Sequence, residues 1–184
     1  MKKVFALAIG ASLWAMTIYP IPIYIKEPMK IKQLNIKEDN SKYQVFVKGD
    51  SDLVVYPKIF KAPKSIKILY KGKKPQVEKN YRIVLQELLM DQELKDGKML
   101  IVKRFSIPLF VLPKDIRSKL SYQCFDRGIL LKNEGNVHFL INLLNGKKVH
   151  WYLYPNQTKE VRDVESVHIK TDKGEYNFTC KEDK

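Results

Sequence analysis

Turn residues cut this chain into pieces too short for most helices and well suited to strands. In the first half, Asp39-Asn40-Ser41, Gly49-Asp50-Ser51 and Lys71-Gly72-Lys73 separate runs rich in β-branched and aromatic residues, the pattern of strands and their connections. The runs fall at 17–25, 29–36, 43–48, 53–60, 65–71, 81–87 and 100–112. Seven strands in about a hundred residues is the content of an immunoglobulin-like sandwich. The cysteine–tryptophan–cysteine hallmark of antibody domains is missing from this unit. The stretch 88–98 reads as a short helix or a loop, and 114–118 as a linker. A second β-rich unit follows, with strands at 122–125, 128–132, 137–144, 149–154, 159–164, 167–170 and 176–180. Asn145-Gly146 and Lys173-Gly174 are turns of tight hairpins. The expected fold is all-β, with β-sandwich domains at 17–113 and 119–184, the second short enough to be missing a strand.

Hydrophobic residues make up 45% of the 184 positions, a globular composition rather than a disordered one. The net charge of +14, from 34 basic and 20 acidic side chains, favours acidic partners. The lysines are scattered, as on a solvated surface. No face combines aromatic with basic residues, so nucleic acid is not an expected partner. Lys2 and Lys3 precede an uncharged stretch from Val4 to Ile25. It is long enough to span a membrane, but Pro20 and Pro22 make its second half extended. The reading is a secretory signal peptide over 1–15 and a first strand from Thr17. An uncleaved anchor is the alternative; after cleavage no stable membrane insertion is expected. In an exported chain Cys124 and Cys180 either form a disulfide or remain two buried thiols. A staple would suit a unit this small.

Motifs of nucleophilic, metal-dependent and phosphate-binding catalysis are missing. His138, His150 and His168 lack ligand-like spacing and read as surface or packing residues. Neither an enzyme nor a cofactor is expected.

The segment 98–113 is the unusual one. Phe105, Ile107, Leu109 and Val111 share one face of a strand, while Leu100 and Val102 fall on the other, in line with Arg104. Pro108 cannot donate to a ladder and favours an edge or a bulge. An apolar edge is an aggregation hazard unless another strand pairs with it, and a partner's strand could add there. A core strand covered on both faces is the competing reading.

The order of segments resembles the periplasmic chaperones of chaperone–usher pilus assembly, in particular their archaic, spore-coat-U-associated branch. The resemblance rests on Leu53-Val54-Val55-Tyr56-Pro57, Ala62-Pro63-Lys64-Ser65-Ile66, Tyr81-Arg82-Ile83-Val84-Leu85 and Arg104-Phe105-Ser106-Ile107-Pro108, and more faintly on Gly128–Asn136 and Tyr152–Pro155. It covers about residues 17–155. It implies two immunoglobulin-like domains set as an L or boomerang, preceded by a signal peptide. The implied partners are a pilin or fimbrial subunit and an outer-membrane usher. The subunit lacks its own last strand, and the last strand of domain one fills the gap. Leu100 and Val102 would supply apolar side chains, or Met99 and Ile101 in a shifted register. The resemblance also implies two basic residues in the cleft between the domains that hold the subunit's C-terminal carboxylate. Arg82 and Arg104 match those positions, with Lys103 as the alternative to Arg104. Residues 17–25 carry no basic residue, which departs from the better-known branch. A secreted or membrane-anchored structural or adhesion protein with two sandwiches is the rival reading.

Overall fold

The computed structural model describes residues 16–37, 41–88, 102–126 and 128–180. They form β-strands alone. Domain one holds β1 (Thr17–Tyr19), β2 (Ile23–Ile25), β3 (Lys32–Lys37), β4 (Lys42–Lys48), β5 (Leu53–Tyr56), β6 (Ile59–Lys61), β7 (Lys64–Tyr70), β8 (Lys79–Leu88) and β9 (Arg104–Val111). Domain two holds β10 (Leu120–Phe125), β11 (Gly128–Asn133), β12 (Phe139–Leu144), β13 (Lys147–Leu153), β14 (Thr158–Arg162), β15 (Ser166–Thr171) and β16 (Gly174–Thr179).

Domain one packs the sheet β1-β3-β7-β5 against the sheet β2-β9-β8-β4-β6, the two layers of an immunoglobulin-like sandwich. Alternation does the sorting. Leu34 and Ile36, Tyr43 and Val45, Ile66 and Ile68, Ile83 and Leu85, and Ile107, Leu109 and Val111 all enter one core. The expected shared face of 105–111 is observed, with Phe105 partly buried against that core.

Two expected strands are each two strands. Residues 17–25 divide into β1, which pairs with β3, and β2, which pairs in parallel with β9. Residues 53–60 divide into β5, paired with β7, and β6, paired with β4. The breaks fall at Pro20, Pro22 and Pro57, which lack the N–H a ladder needs. In both cases the chain crosses from one sheet to the other and its alternation slips by one residue: Ile18, then Ile23 and Ile25, face the core, as do Leu53 and Val55, then Phe60.

Domain two packs β10-β11-β14 against β13-β12-β15-β16, around Ile129, Leu131, Phe139, Ile141, Val167 and Ile169. Asn145 and Gly146 both have positive φ, 47° and 77°, the conformation of a tight hairpin turn, here between β12 and β13. The short β10-β11-β14 sheet accords with the small size of this unit.

The two flanks of domain two differ. On one, the edge strands β10 and β16 are joined. A disulfide links Cys124 to Cys180, 56 residues apart, with a Cα–Cα distance of 5.8 Å. Beside it Tyr122 stacks on Phe178, ring centroids 4.6 Å apart, and the Tyr122 hydroxyl donates to the carbonyl of Thr179. On the other flank the outer edges of β13 and β14 pair with no strand among the described residues.

Candidate functional site

Two features meet on the outer face of the β9-bearing sheet. The first is the edge of β9. On its inner side β9 pairs with β8 along its whole length, Arg104 opposite Gln86 through Val111 opposite Lys79. On its outer side β2 covers only Leu109, Phe110 and Val111. Among the described residues, nothing pairs with the outer side of 104–108. Pro108 sits where the β2 ladder stops, at a position that asks for no donor. Val102, just before β9, is 41% exposed. Leu100, Met99 and Ile101 lie outside the described residues, as does most of the stretch read as a helix or loop.

The second feature is a cleft of about 720 Å³ between the domains, lined by Arg82, Tyr152, Tyr154, Trp151 and Lys159 among others. Arg82 reaches it because Tyr81, Ile83 and Leu85 face the core, which turns Arg82 outward on β8. The ladder sets Lys48 directly opposite Arg82 on β4, so two cations share one spot on the outer face. Neither has an acidic partner among the described residues. Like charges placed opposite each other oppose folding, and an anion bound there would relieve the repulsion.

Arg104 is not in this cleft. It lies opposite Gln86, whereas Arg82 lies opposite Pro108. That puts Arg104 on the same face but about 13 Å further along, four residues at roughly 3.3 Å each. Lys103 is drawn to Glu87: its backbone N–H donates to Oε2 at 3.0 Å and its Nζ lies 3.9 Å from Oε1. The geometry therefore places Arg82 with Lys48, not with Arg104 or Lys103. The register that pairs them could not be read from sequence, because a slip by one residue would turn Lys48 to the other face.

Beside the cleft the two domains pack directly on each other, with Tyr152 common to both places. Phe110 is fully buried although it points away from the domain-one core. Its ring lies 4.0 Å from that of His138 and 5.5 Å from that of Tyr152, centroid to centroid, and Tyr24 stacks on it at 5.6 Å. His138 is 1% exposed, and its Nδ1 lies 2.8 Å and 2.9 Å from the two carboxylate oxygens of Glu78 in domain one. The backbone N–H of His138 donates to the same carboxylate. His138 is thus a junction residue, a role its sequence context gave no sign of.

Asn136 completes the junction. Its Nδ2 donates to the carbonyls of Gln76 and Asp115, and its Oδ1 accepts from Arg117 N–H. Its carbonyl accepts from Glu78 N–H, and its own N–H donates to the carbonyl of Arg117. One residue therefore ties domain two, the connecting segment and domain one together.

Burial, together with nearby Asp172, Tyr152 and Glu78, pushes the Tyr24 hydroxyl from 10.0 up to about 12. Burial likewise raises Tyr81 in the core of domain one to about 12. A raised folded-state value means the folded protein holds the proton more tightly. This stabilisation is complete below pH 10 and is lost as the pH climbs from 10 to 12. Urea unfolding should show falling stability over that window, with a shallower fall in Tyr24→Phe. An unchanged slope in Tyr24→Phe would contradict this account.

No protein-family model matches the chain, and no curated protein matches it. Solved structures do. The class 5 fimbriae chaperone CfaA superposes with a TM-score of 0.67 at 17% identity, covering 90% of this chain and 99% of its own. The E. coli chaperone DraB gives 0.68 at 17%, covering 91% and 97%. The fold is that of the fimbrial chaperones. A CsuC–CsuE chaperone–tip adhesion subunit complex from the archaic Csu pili of Acinetobacter baumannii matches at 0.60 and 18% identity, covering 80% and 89%. The two-sandwich architecture expected from sequence is therefore shared with chaperones of several pilus systems.

Proposed function

We propose that this protein is a periplasmic chaperone of pilus assembly. It binds a pilin or fimbrial subunit by strand donation from the β9 edge and passes it to an outer-membrane usher. The observation that carries this reading is the half-covered edge of β9, which no strand among the described residues covers along 104–108, and which continues into the exposed Val102. An edge of this kind is a template for an incoming strand. Leu100 and Val102, or Met99 and Ile101, supply the apolar side chains that enter the subunit. Each such side chain, once buried, contributes roughly 1.5–3 kcal/mol. Arg82 holds the subunit's terminal carboxylate by charge-assisted, bidentate bonds, with Lys48 beside it. Arg104 and Lys103, set further along the strand, flank the donor segment and discourage self-pairing. Solved complexes that share the fold include SafA pilin with the SafB chaperone.

The test is co-expression with a candidate pilin subunit in a bacterial periplasm. Wild type is expected to yield a soluble one-to-one complex. Arg82→Ala should weaken capture by roughly ten- to a hundredfold, the range for losing hydrogen bonds to a charged group. Lys48→Ala should weaken it less, Arg104→Ala less again, and Val102→Asp should abolish it. Capture unaffected by Arg82→Ala and Val102→Asp would refute the site. A folded, exported wild type that captures no subunit would favour the structural or adhesion reading.

A further inference from the structure

The outer face of the β9-bearing sheet continues well beyond the cleft, and residue parity fixes which side chains it carries. Across the strands, Lys61, Lys42 and Leu88 form one row, and Ile59, Gln44, Gln86 and Arg104 the next. Phe46, Val84 and Ser106 form the third row, and Lys48, Arg82 and Pro108 the last. No position in these rows is acidic.

The face has an apolar middle and a cationic rim. Phe46 and Ile59 are exposed, and Val84, opposite Phe46, is buried although it points outward. At the end far from the cleft, Lys42 on β4 lies directly opposite Lys61 on β6. Both lysines are exposed, and like charges placed opposite each other oppose folding. Among the described residues neither has an acidic partner. Other lysines do find one: Lys79 meets Asp50 and Asp52, and Lys170 meets Glu175. Lys42 and Lys48 are six residues apart on one strand, about 20 Å. The Lys42–Lys61 pair is therefore separate from the cations at the cleft.

We propose that this face seats the body of the subunit, which meets Lys42 and Lys61 with a carboxylate side chain and covers Phe46 and Ile59 with apolar ones. The inference rests on the chaperone reading above and adds the chemistry of the partner: an apolar patch with an acid at its edge. Two observations select this occupant. The face is continuous with the open edge of β9 through the row that ends at Arg104, so a strand added at that edge brings the rest of the subunit to the rim of this face. A carboxylate between Lys42 and Lys61 relieves their repulsion, whereas a second copy of this chain would set cations against cations. An apolar centre within a charged rim is also the usual anatomy of a protein interface.

The test uses the full chain and the subunit that the wild type captures in co-expression. Denatured subunit is diluted into increasing concentrations of each purified variant, and soluble complex is measured by gel filtration. Lys61→Glu places an acid opposite Lys42, so this variant should melt no lower than wild type. It should nevertheless weaken capture by roughly tenfold or more, the scale of one charge-assisted contact. Phe46→Ser should weaken capture to a similar degree, and Lys42→Arg with Lys61→Arg should keep it. In the wild-type complex, carbodiimide should join Lys42 or Lys61 to an Asp or Glu of the subunit as an amide, identified by mass spectrometry. The double arginine variant should lose this link while capture persists. Lysines that serve solubility alone predict capture indifferent to Lys61→Glu. That indifference, or links from Lys42 and Lys61 only to a second copy of the chain, overturns the proposal and leaves the results for Arg82 and Val102 standing. A wild type that captures no subunit removes the chaperone reading and this seat with it.

Discussion

Glu78→Ala is expected to destabilise the protein by about 3–5 kcal/mol, the usual cost of breaking a buried ionisable pair by removing one partner. The carboxylate is almost wholly enclosed and accepts from both the ring and the backbone N–H of His138. Alanine would strand both donors in a site walled by Phe110, Tyr24 and Tyr152, where water cannot replace the lost acceptor. Glu78→Gln, which keeps one acceptor oxygen, should cost distinctly less. His138→Phe retains the aromatic packing but leaves Glu78 buried without its partner, and should cost as much as Glu78→Ala. Combining Glu78→Leu with His138→Phe should recover much of the loss, because two apolar groups need no hydrogen bonds. Urea unfolding of the four variants and of Glu78→Leu alone checks the series. A loss below about 1 kcal/mol for Glu78→Ala, or strict additivity in the double variant, would show that the pair does not hold the junction.

The second large effect is expected from the disulfide. Replacing Cys124 and Cys180 together by serine should lower the stability of domain two by about 4 kcal/mol, the chain-entropy value for a loop of this length. The bond joins the edge strand β10 to the residue just past the edge strand β16, so its loss frees the flank that Tyr122 and Phe178 alone would then hold. Domain one has its own core and should keep its stability. Unfolding would then separate into two transitions, the earlier one reported by Trp151 fluorescence. A single transition shifted by less than about 1 kcal/mol would contradict the expectation. The same shift should follow reduction of the wild-type protein.

The sandwich was legible because alternation survives in almost every strand: Tyr43 with Val45, Ile83 with Leu85, and Ile107 with Leu109 and Val111 announce their faces unaided. Partners were less legible. Pro20, Pro22 and Pro57 mark breaks in 17–25 and 53–60, but nothing local says that the chain resumes in the other sheet. Arg82 could be placed outside the core by parity alone. Its neighbour Lys48 could not, because that juxtaposition depends on the register between β4 and β8. The junction was hidden for a different reason. Phe110 and His138 are buried by contact with the other domain, a contact that the sequence of either unit alone does not show.

Asn136 has a consequence for binding thermodynamics. Two sandwiches joined by a loose tether would have to be ordered by whatever ligand bridged them, and that ordering would subtract from affinity. Here the connecting segment is bonded to the side chain and backbone of a residue that also grips domain one. The walls of the cleft are preorganised: their entropy is surrendered during folding, not at the moment of encounter. A partner seated between the domains, as proposed above, would therefore spend its contacts on recognition instead of on ordering the two sandwiches.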